Sequence, residues 1–248
     1  MRYFLEIAYE GSAFYGWQIQ AKGPTVQAEV ERTLHIIFQT KTPCIGCGRT
    51  DTGVHATQFF LHFDTEQEIE NPSQFIWKFN QIISPSIVAY RLIPVQHDAH
   101  ARFSAISRTY KYYISLQKNP FLKGKAAFIS YTPNIEAMQN ACKFYEGTHD
   151  YKAFSKKNDL NSHQCEVFGA SIVKEDNCLV FEVSANRFLR NMVRAMVGTL
   201  LDVGKGKINS SDIHSILQSK ERANAGESVP AEGLFLVKIA YPEFILNP

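Results

Sequence analysis

Two hydrophobic periodicities share this chain, and their order along the sequence limits the folds it can adopt. Apolar residues recur at every second position in short segments such as Tyr3–Tyr9, which is typical of β-strands with one buried face. Other segments, such as Val26–Ile37, have helical spacing. Because the two types mix without a strict strand–helix–strand rhythm, the sequence predicts the α+β class, with a mixed or antiparallel sheet flanked by helices.

The pattern breaks once near the middle of the chain, between Asn119 and Gly124. We therefore expect two similar halves, residues 1–118 and 119–248. In the second half the spacing predicts a helix near Asn134–Glu146 that Gly147 would cap, and another from about Asn186 to Asp202.

The composition excludes several classes of protein. With 248 residues, of which 45% are hydrophobic, the chain can bury a sizeable core. No window of eighteen apolar residues and no secretory signal are present, so we expect neither a membrane span nor export. The five scattered cysteines suit a reducing cytoplasm. A net charge of +2 means that any nucleic-acid site must come from local clusters.

The segment Gly48–Ala56, GRTDTGVHA, contains the strongest candidate for chemistry. An aspartate in a glycine-bounded loop most often forms a turn or caps a helix. Here Arg49 lies two residues before Asp51, and a nearby guanidinium keeps a carboxylate ionised. An ionised carboxylate can act as nucleophile or base. For His55, which precedes an apolar segment, a structural role is the alternative to acid–base catalysis.

Asp51-Thr52-Gly53 also spells the triplet of aspartic proteases, which need two carboxylates that share a proton. No second Asp-Thr-Gly or Asp-Ser-Gly occurs in the chain, so that activity is disfavoured.

Cys44 and Cys47 form a single CxxC pair. A structural metal site needs two more ligands, and a strand end with small buried residues explains the pair better.

Basic residues cluster in two stretches. No acid occurs between Asp98 and Glu136, where aromatic residues alternate with Arg102, Arg108, Lys111, Lys118, Lys123 and Lys125. Cations that bind phosphates and rings that stack on bases are typical of RNA-binding surfaces. The alternative, a solvated strand face, remains open for Lys111 and Lys118.

In the second stretch, Arg187, Arg190 and Arg194 are spaced three and four apart. We expect them to share one helical face, and no acid lies between Glu182 and Asp202. Such a ridge can hold an RNA backbone or an internal carboxylate, whereas an ordinary solvated face usually mixes signs.

Several of these segments together resemble the tRNA pseudouridine synthase A family. GRTDTGVHA resembles the family's signature around its nucleophilic aspartate, which usually has alanine where this chain has Thr52. Further matches follow in the same order over nearly the whole chain: Gly16–Gln18, Ala101–Ala105, Arg108–Tyr112, Phe188–Gly198 and Ala231–Leu234.

The resemblance implies a pseudouridine synthase fold with a central active-site cleft, and an enzyme that converts uridine to pseudouridine at positions 38, 39 and 40 of the tRNA anticodon arm. It implies a homodimer that binds tRNA and uses neither cofactor nor metal. By motif, Asp51 would be the nucleophile and Arg194 its partner. Arg49 would displace the target nucleotide. Tyr110 would stack on the target base.

The arginine ridge makes Arg187 and Arg190 substrate-binding candidates as well, and the last matching segment adds Leu234. Two other classes stay open on the sequence alone. A non-catalytic RNA-binding protein on the same scaffold predicts loss of Asp51 or Tyr110, and both are present. A metal-dependent hydrolase would use Cys44 and Cys47.

Overall fold

A computed structural model describes residues 1–156 and 162–246. Among these residues the strands are β1 (Arg2–Tyr9), β2 (Cys44–Gly46), β3 (His55–Asp64), β4 (Ile87–Val95), β5 (Ser107–Ser115), β6 (Ala127–Phe128), β7 (Gly147–Asp150), β8 (Gln164–Glu175), β9 (Cys178–Ala185) and β10 (Leu234–Ala240). The α-helices are α1 (Val26–Phe38), α2 (Pro72–Ile82), α3 (Ile135–Cys142), α4 (Met192–Gly204), α5 (Asp212–Ser219) and α6 (Glu243–Leu246).

The chain divides into two compact units. The first contains Met1–Ser107 and the chain from Leu236 onward, and the second contains Arg108–Phe235. The division after residue 118 rests on a break in the sequence pattern and stays a prediction.

In the first unit the strands follow the order β4-β1-β3-β10, and β2 pairs with β3. Strand β1 pairs in antiparallel fashion with β3 and β4. It is buried on both faces, because Phe4 and Leu5 point to opposite sides and neither is exposed. On one side Phe75 of α2 stacks near Phe63 of β3. This unit therefore has an apolar core on each face of its sheet.

The helices of the first unit begin where the sequence supplies a cap. The Thr25 hydroxyl accepts a hydrogen bond from the Ala28 N–H, and the Asn71 side chain accepts one from the Gln74 N–H, with Pro72 at the first helical position. These bonds satisfy backbone donors that have no partner inside the helix.

In the second unit β5, β9, β8 and β7 pair successively in antiparallel fashion. Strand β6 runs parallel to β5, so the sheet is mixed. Helix α4 is buried over almost its whole length, and its Met196 carbonyl accepts a hydrogen bond from the Tyr145 hydroxyl. The predicted fold class, α+β with a mixed sheet flanked by helices, is confirmed.

Two predicted helices were drawn wrongly. Helix α4 begins at Met192 and not at Asn186, because Asn191 adopts the left-handed conformation with φ of 68°. Arg187 and Arg190 therefore precede the helix, and the expected helical face shared with Arg194 is wrong. Helix α3 ends at Cys142 and continues as a 3-10 turn. Gly147 is not its cap, since it begins β7.

The residues described include no helix with both the length and the apolar character that a membrane crossing requires.

Candidate active site

Asp51 lies in a tight loop between β2 and β3, in the first unit. Its side chain is half-buried. The Asp51 carbonyl accepts a hydrogen bond from the Val54 N–H at 3.1 Å, and Gly53 turns the chain with φ of +79°. The bond that closes the turn thus comes from the main chain of Asp51. The turn-forming role expected of an ordinary loop aspartate does not require the carboxylate.

A second loop presses directly on this one. Gly16 has φ of +86°, and a Cβ atom there would lie 2.4 Å from the Thr50 carbonyl oxygen. The same carbonyl accepts a hydrogen bond from the Trp17 N–H at 3.2 Å. Only glycine permits both this backbone angle and this approach. The main chain next to Asp51 is therefore held by another main chain.

Buried side chains hold the two loops from below. The Tyr9 and Thr50 hydroxyls are hydrogen-bonded at 2.8 Å. The Trp17 ring stacks on Phe59 with centroids 4.3 Å apart. Their burial makes these contacts costly to break, because few alternative partners are available. Asp51 is consequently carried on a loop whose position is fixed on both sides.

His55 serves this framework. It is buried, and its Nδ1 atom accepts a hydrogen bond from the Gly11 N–H at 3.1 Å. The same atom lies 3.3 Å from the Glu10 carboxylate. This geometry agrees with the structural interpretation of His55. Arg49, two residues before Asp51, is exposed.

Tyr110 lies on β5 in the second unit. It is half-buried and packs edge-to-face against Phe188, with ring centroids 5.0 Å apart and planes at 84°. Two residues further, on the same face of the strand, Tyr112 is fully buried and donates a hydrogen bond to the Pro230 carbonyl at 2.8 Å. Burial raises the pKa of Tyr112, and the nearby charge of Arg194 opposes this. Tyr112 therefore acts as a neutral anchor.

Arg194 is held by the segment 225–233, which we call the strap. The Arg194 Nε atom donates to the Val229 carbonyl at 2.7 Å, and the Val229 N–H donates to the Arg194 carbonyl at 3.2 Å. Further along, the Gly226 N–H donates to the Thr199 hydroxyl at 2.9 Å. A Cβ atom on Gly198 would lie 1.7 Å from the Glu227 carbonyl oxygen. The strap therefore lies directly on α4.

The other candidate site residues of the second unit differ in exposure. Arg187 and Arg190 are exposed, and the Arg190 carbonyl accepts a hydrogen bond from the Lys156 N–H at 3.1 Å. Leu234 is buried and begins β10. Arg49 and Asp51 thus belong to the first unit, whereas the remaining candidates belong to the second.

The cysteine pair gives little support to metal chemistry. Within residues 1–156 and 162–246, no three His, Cys, Asp or Glu side chains are grouped so that they could hold a metal ion. Burial, reinforced by the charge of Glu31, raises the pKa of Cys44 well above its usual value. Cys44 is therefore a buried, protonated thiol in this environment.

The sequence did not predict the contacts that hold the Asp51 loop and Arg194 in place. The Tyr9–Thr50 hydrogen bond joins residues 41 positions apart, and no local pattern marks it. Val229 likewise has no signal of its own. Gly198 did carry a signal, since an isolated glycine inside an apolar helix often marks a close backbone approach.

Comparisons with known proteins agree with the resemblance found in the sequence. The tRNA pseudouridine synthase family matches residues 141–242. A protein named tRNA pseudouridine synthase A from Parabacteroides distasonis is 43% identical, over 98% of this chain and 96% of its own length. Proteins of the same name from Bacteroides fragilis and Staphylococcus aureus are 40% and 37% identical, over 99% and 98% of this chain and 98% and 92% of their own lengths. The chain therefore belongs to the tRNA pseudouridine synthase family.

Proposed function

We propose that this protein is a cytoplasmic homodimer that converts uridine to pseudouridine at positions 38, 39 and 40 of the tRNA anticodon arm. Two kinds of support meet here. Relatives named tRNA pseudouridine synthase A match along nearly the whole chain, and an aspartate in the expected sequence context lies on a firmly held loop.

The reaction balances without a redox partner. The bond between N1 of uracil and C1′ of ribose breaks, and a bond between C5 and C1′ forms. C5 loses one hydrogen to solvent, and N1 gains a proton. Because substrate and product are isomers, no electrons leave or enter, and the protein's own side chains suffice as the source of chemistry.

The observation that carries the proposal is the fixed position of Asp51. A nucleophilic carboxylate accelerates a reaction only when it is held close to the reacting atom. Main-chain contacts through Gly16 and the Thr50 carbonyl supply that restraint. In this proposal Asp51 attacks the uridine, on either the sugar or the ring.

The remaining candidates take roles suited to their chemistry. A uridine must leave its stack before it can react. We assign its displacement to the exposed Arg49 and its stacking to Tyr110. Arg194 serves as the arginine partner implied by the family resemblance, Arg187 and Arg190 contact phosphates, and Leu234 contacts the substrate. No metal or cofactor enters the scheme.

The test is release of tritium from C5 of uridine in labelled tRNA. Asp51→Asn keeps the size of the side chain and removes its charge, and we expect it to lower the release rate by at least about 10³-fold, with tRNA affinity nearly unchanged. Asp98→Asn, an exposed aspartate in the same unit, is the control and should behave as wild type.

Two results would overturn the proposal. Normal release by Asp51→Asn would remove the nucleophile. A wild-type protein that binds tRNA tightly but releases no label would instead be a non-catalytic RNA-binding protein.

A further inference from the structure

The acid-free stretch between Asp98 and Glu136 divides into two parts in the structure. Lys111, on β5, forms an ion pair with Glu182 at 3.2 Å, so it belongs to a solvated sheet face. Lys118, Lys123 and Lys125 follow the end of β5 and are exposed. In the part of the chain that the structure describes, these three form no ion pair with a carboxylate.

The loop that carries these lysines is well defined. The Asn119 side chain accepts a hydrogen bond from the Phe121 N–H at 2.9 Å, and the Leu122 carbonyl accepts one from the Lys125 N–H at 2.9 Å. Phe121 is 87% exposed and Phe128 is 52% exposed. Because the backbone holds these rings in water, they are available to a partner.

A cavity of about 360 Å³ opens beside this loop, and Lys118, Phe128 and Tyr131 are among the residues that line it. We call it the β5-end pocket. The Tyr131 hydroxyl is buried and has no hydrogen-bond partner among the described residues. The Lys205 ammonium lies 4.6 Å from the centre of the Tyr131 ring. The ring of Tyr131 therefore forms part of the pocket wall, with a cation beside it.

The charge around the pocket favours an anion. Asp202 is an acid close to Tyr131. Burial is the larger cause that raises the pKa of Tyr131, and the charge of Asp202 raises it further. Asp202 is already paired with Lys207 at 2.9 Å. Lys118 and Lys205 have no carboxylate partner among the described residues, so their charges are available to a phosphate.

We propose that the β5-end pocket binds one nucleotide of the tRNA, with its base against Phe128 and its phosphates on Lys118 and Lys205. The proposal rests on the proposed function for the identity of the RNA. An aromatic wall with two unpaired ammonium groups matches a nucleotide, which offers both a π-face and a phosphate. A second copy of this chain would have to supply a matching acidic surface.

The bound nucleotide differs from the target uridine. Phe128 is in register with Ser115, five residues beyond Tyr110 on β5. At roughly 3.4 Å per residue, the pocket lies about 17 Å along the strand from Tyr110. The contact would therefore hold tRNA through a nucleotide other than the one that reacts.

The charge arm of the test compares Lys118→Glu/Lys205→Glu with Lys143→Glu, at an exposed lysine of the same unit without a carboxylate partner among the described residues. We expect the double variant to bind full-length tRNA at least tenfold more weakly. The plot of log affinity against log salt should become shallower by about 1.5, since each lost phosphate contact removes roughly 0.7–0.9. The rate of label release at saturating tRNA should stay at the wild-type value.

The stacking arm compares Phe128→Ala with Phe168→Ala, because both rings are 52% exposed and lie on strands of the same unit. Phe128→Ala should weaken tRNA binding about tenfold with an unchanged salt dependence, whereas Phe168→Ala should have no effect. Circular dichroism melting checks that each variant is folded.

The outcomes separate the two proposals. Wild-type release of label together with equal tRNA affinity of the pocket variants and their controls overturns the pocket and leaves the proposed function intact. Pocket-dependent binding without any release overturns the proposed function alone. If sedimentation shows that the pocket variants instead lose a dimer, the pocket is an interface between copies and the nucleotide assignment is overturned.

Discussion

In each unit a glycine lets two main chains touch, Gly16 in the first and Gly198 in the second, and these two contacts differ in kind. At Gly16 both partners are irregular loops, and the glycine has φ of +86° with the Thr50 carbonyl 2.4 Å from an added Cβ. At Gly198 one partner is the buried helix α4, and the Glu227 carbonyl would lie only 1.7 Å from that Cβ.

We expect this structural difference to have different consequences for turnover and for stability. The Gly16 contact fixes the residue next to Asp51, so small movements there displace a proposed reacting group. The Gly198 contact holds the strap on α4, and the strap in turn holds Arg194 through Val229. We expect damage at Gly198 to appear mainly as lost stability, and damage at Gly16 mainly as lost turnover.

The largest effect on stability is expected from Gly198→Ala. The added methyl group overlaps a carbonyl oxygen on a helix that has no room to move, which should lower the free energy of unfolding by about 3 kcal/mol or more. Urea unfolding measures this loss. The control is Gly169→Ala, where nothing lies within 4 Å of the added Cβ, and a change of under about 1 kcal/mol is expected. Equal losses would show that the strap does not press on α4.

Gly16→Ala should destabilise less and impair turnover more. Two loops can share the displacement, so we expect a loss of about 2–3 kcal/mol from the clash and from the unfavourable backbone angle. Label release should fall more than tenfold, because the main chain at Asp51 must shift. Gly48→Ala, with open space around its Cβ, is the matched control. Unaltered release by Gly16→Ala would separate the Gly16 contact from the position of Asp51.

The sequence predicts some structural features of these two regions and not others. The helix starts at Thr25 and Asn71 were predictable, because capping is a local interaction between neighbouring residues. Asp51 was identified by its own segment. The start of α4 was not, since apolar spacing continues through Asn191, and only the left-handed conformation of that residue interrupts the helix. The strap depends on tertiary contacts with α4, which leave no periodic signal.

The first unit also contains a titrating group that tests it alone. His62 is buried, and its Nδ1 accepts a hydrogen bond from the Ala101 N–H at 3.1 Å. Burial, followed by the charges of Arg2 and His100, lowers the pKa of His62 from 6.5 to about 4. Between pH 6.5 and about 4, His62 therefore binds a proton in the unfolded chain but not in the folded chain.

It follows that the titration of His62 costs no stability above pH 6.5, and that the free energy of unfolding decreases as the pH falls from 6.5 toward 4. After allowance for solvent screening we expect a loss of about 1–2 kcal/mol. Urea unfolding across this range measures it, and His62→Asn, which keeps an acceptor, should flatten the profile. His35→Asn, on the exposed side of α1, should not. Hydrogen exchange should show β1 and β3 loosening before α4, and the reverse order would assign the acid sensitivity to the second unit.

The smallest effects come from removing one hydroxyl on each side of the comparison. Tyr9→Phe loses the hydrogen bond to Thr50, and Tyr112→Phe loses the one to the Pro230 carbonyl, each 2.8 Å long. Both should lower the free energy of unfolding by about 1 kcal/mol. Turnover should distinguish them, because Thr50 adjoins Asp51 in the chain whereas Pro230 lies in the strap. We expect a several-fold slower label release from Tyr9→Phe and a nearly unchanged rate from Tyr112→Phe. The opposite ranking would mean that the strap, and not the loop beneath Asp51, limits the reaction.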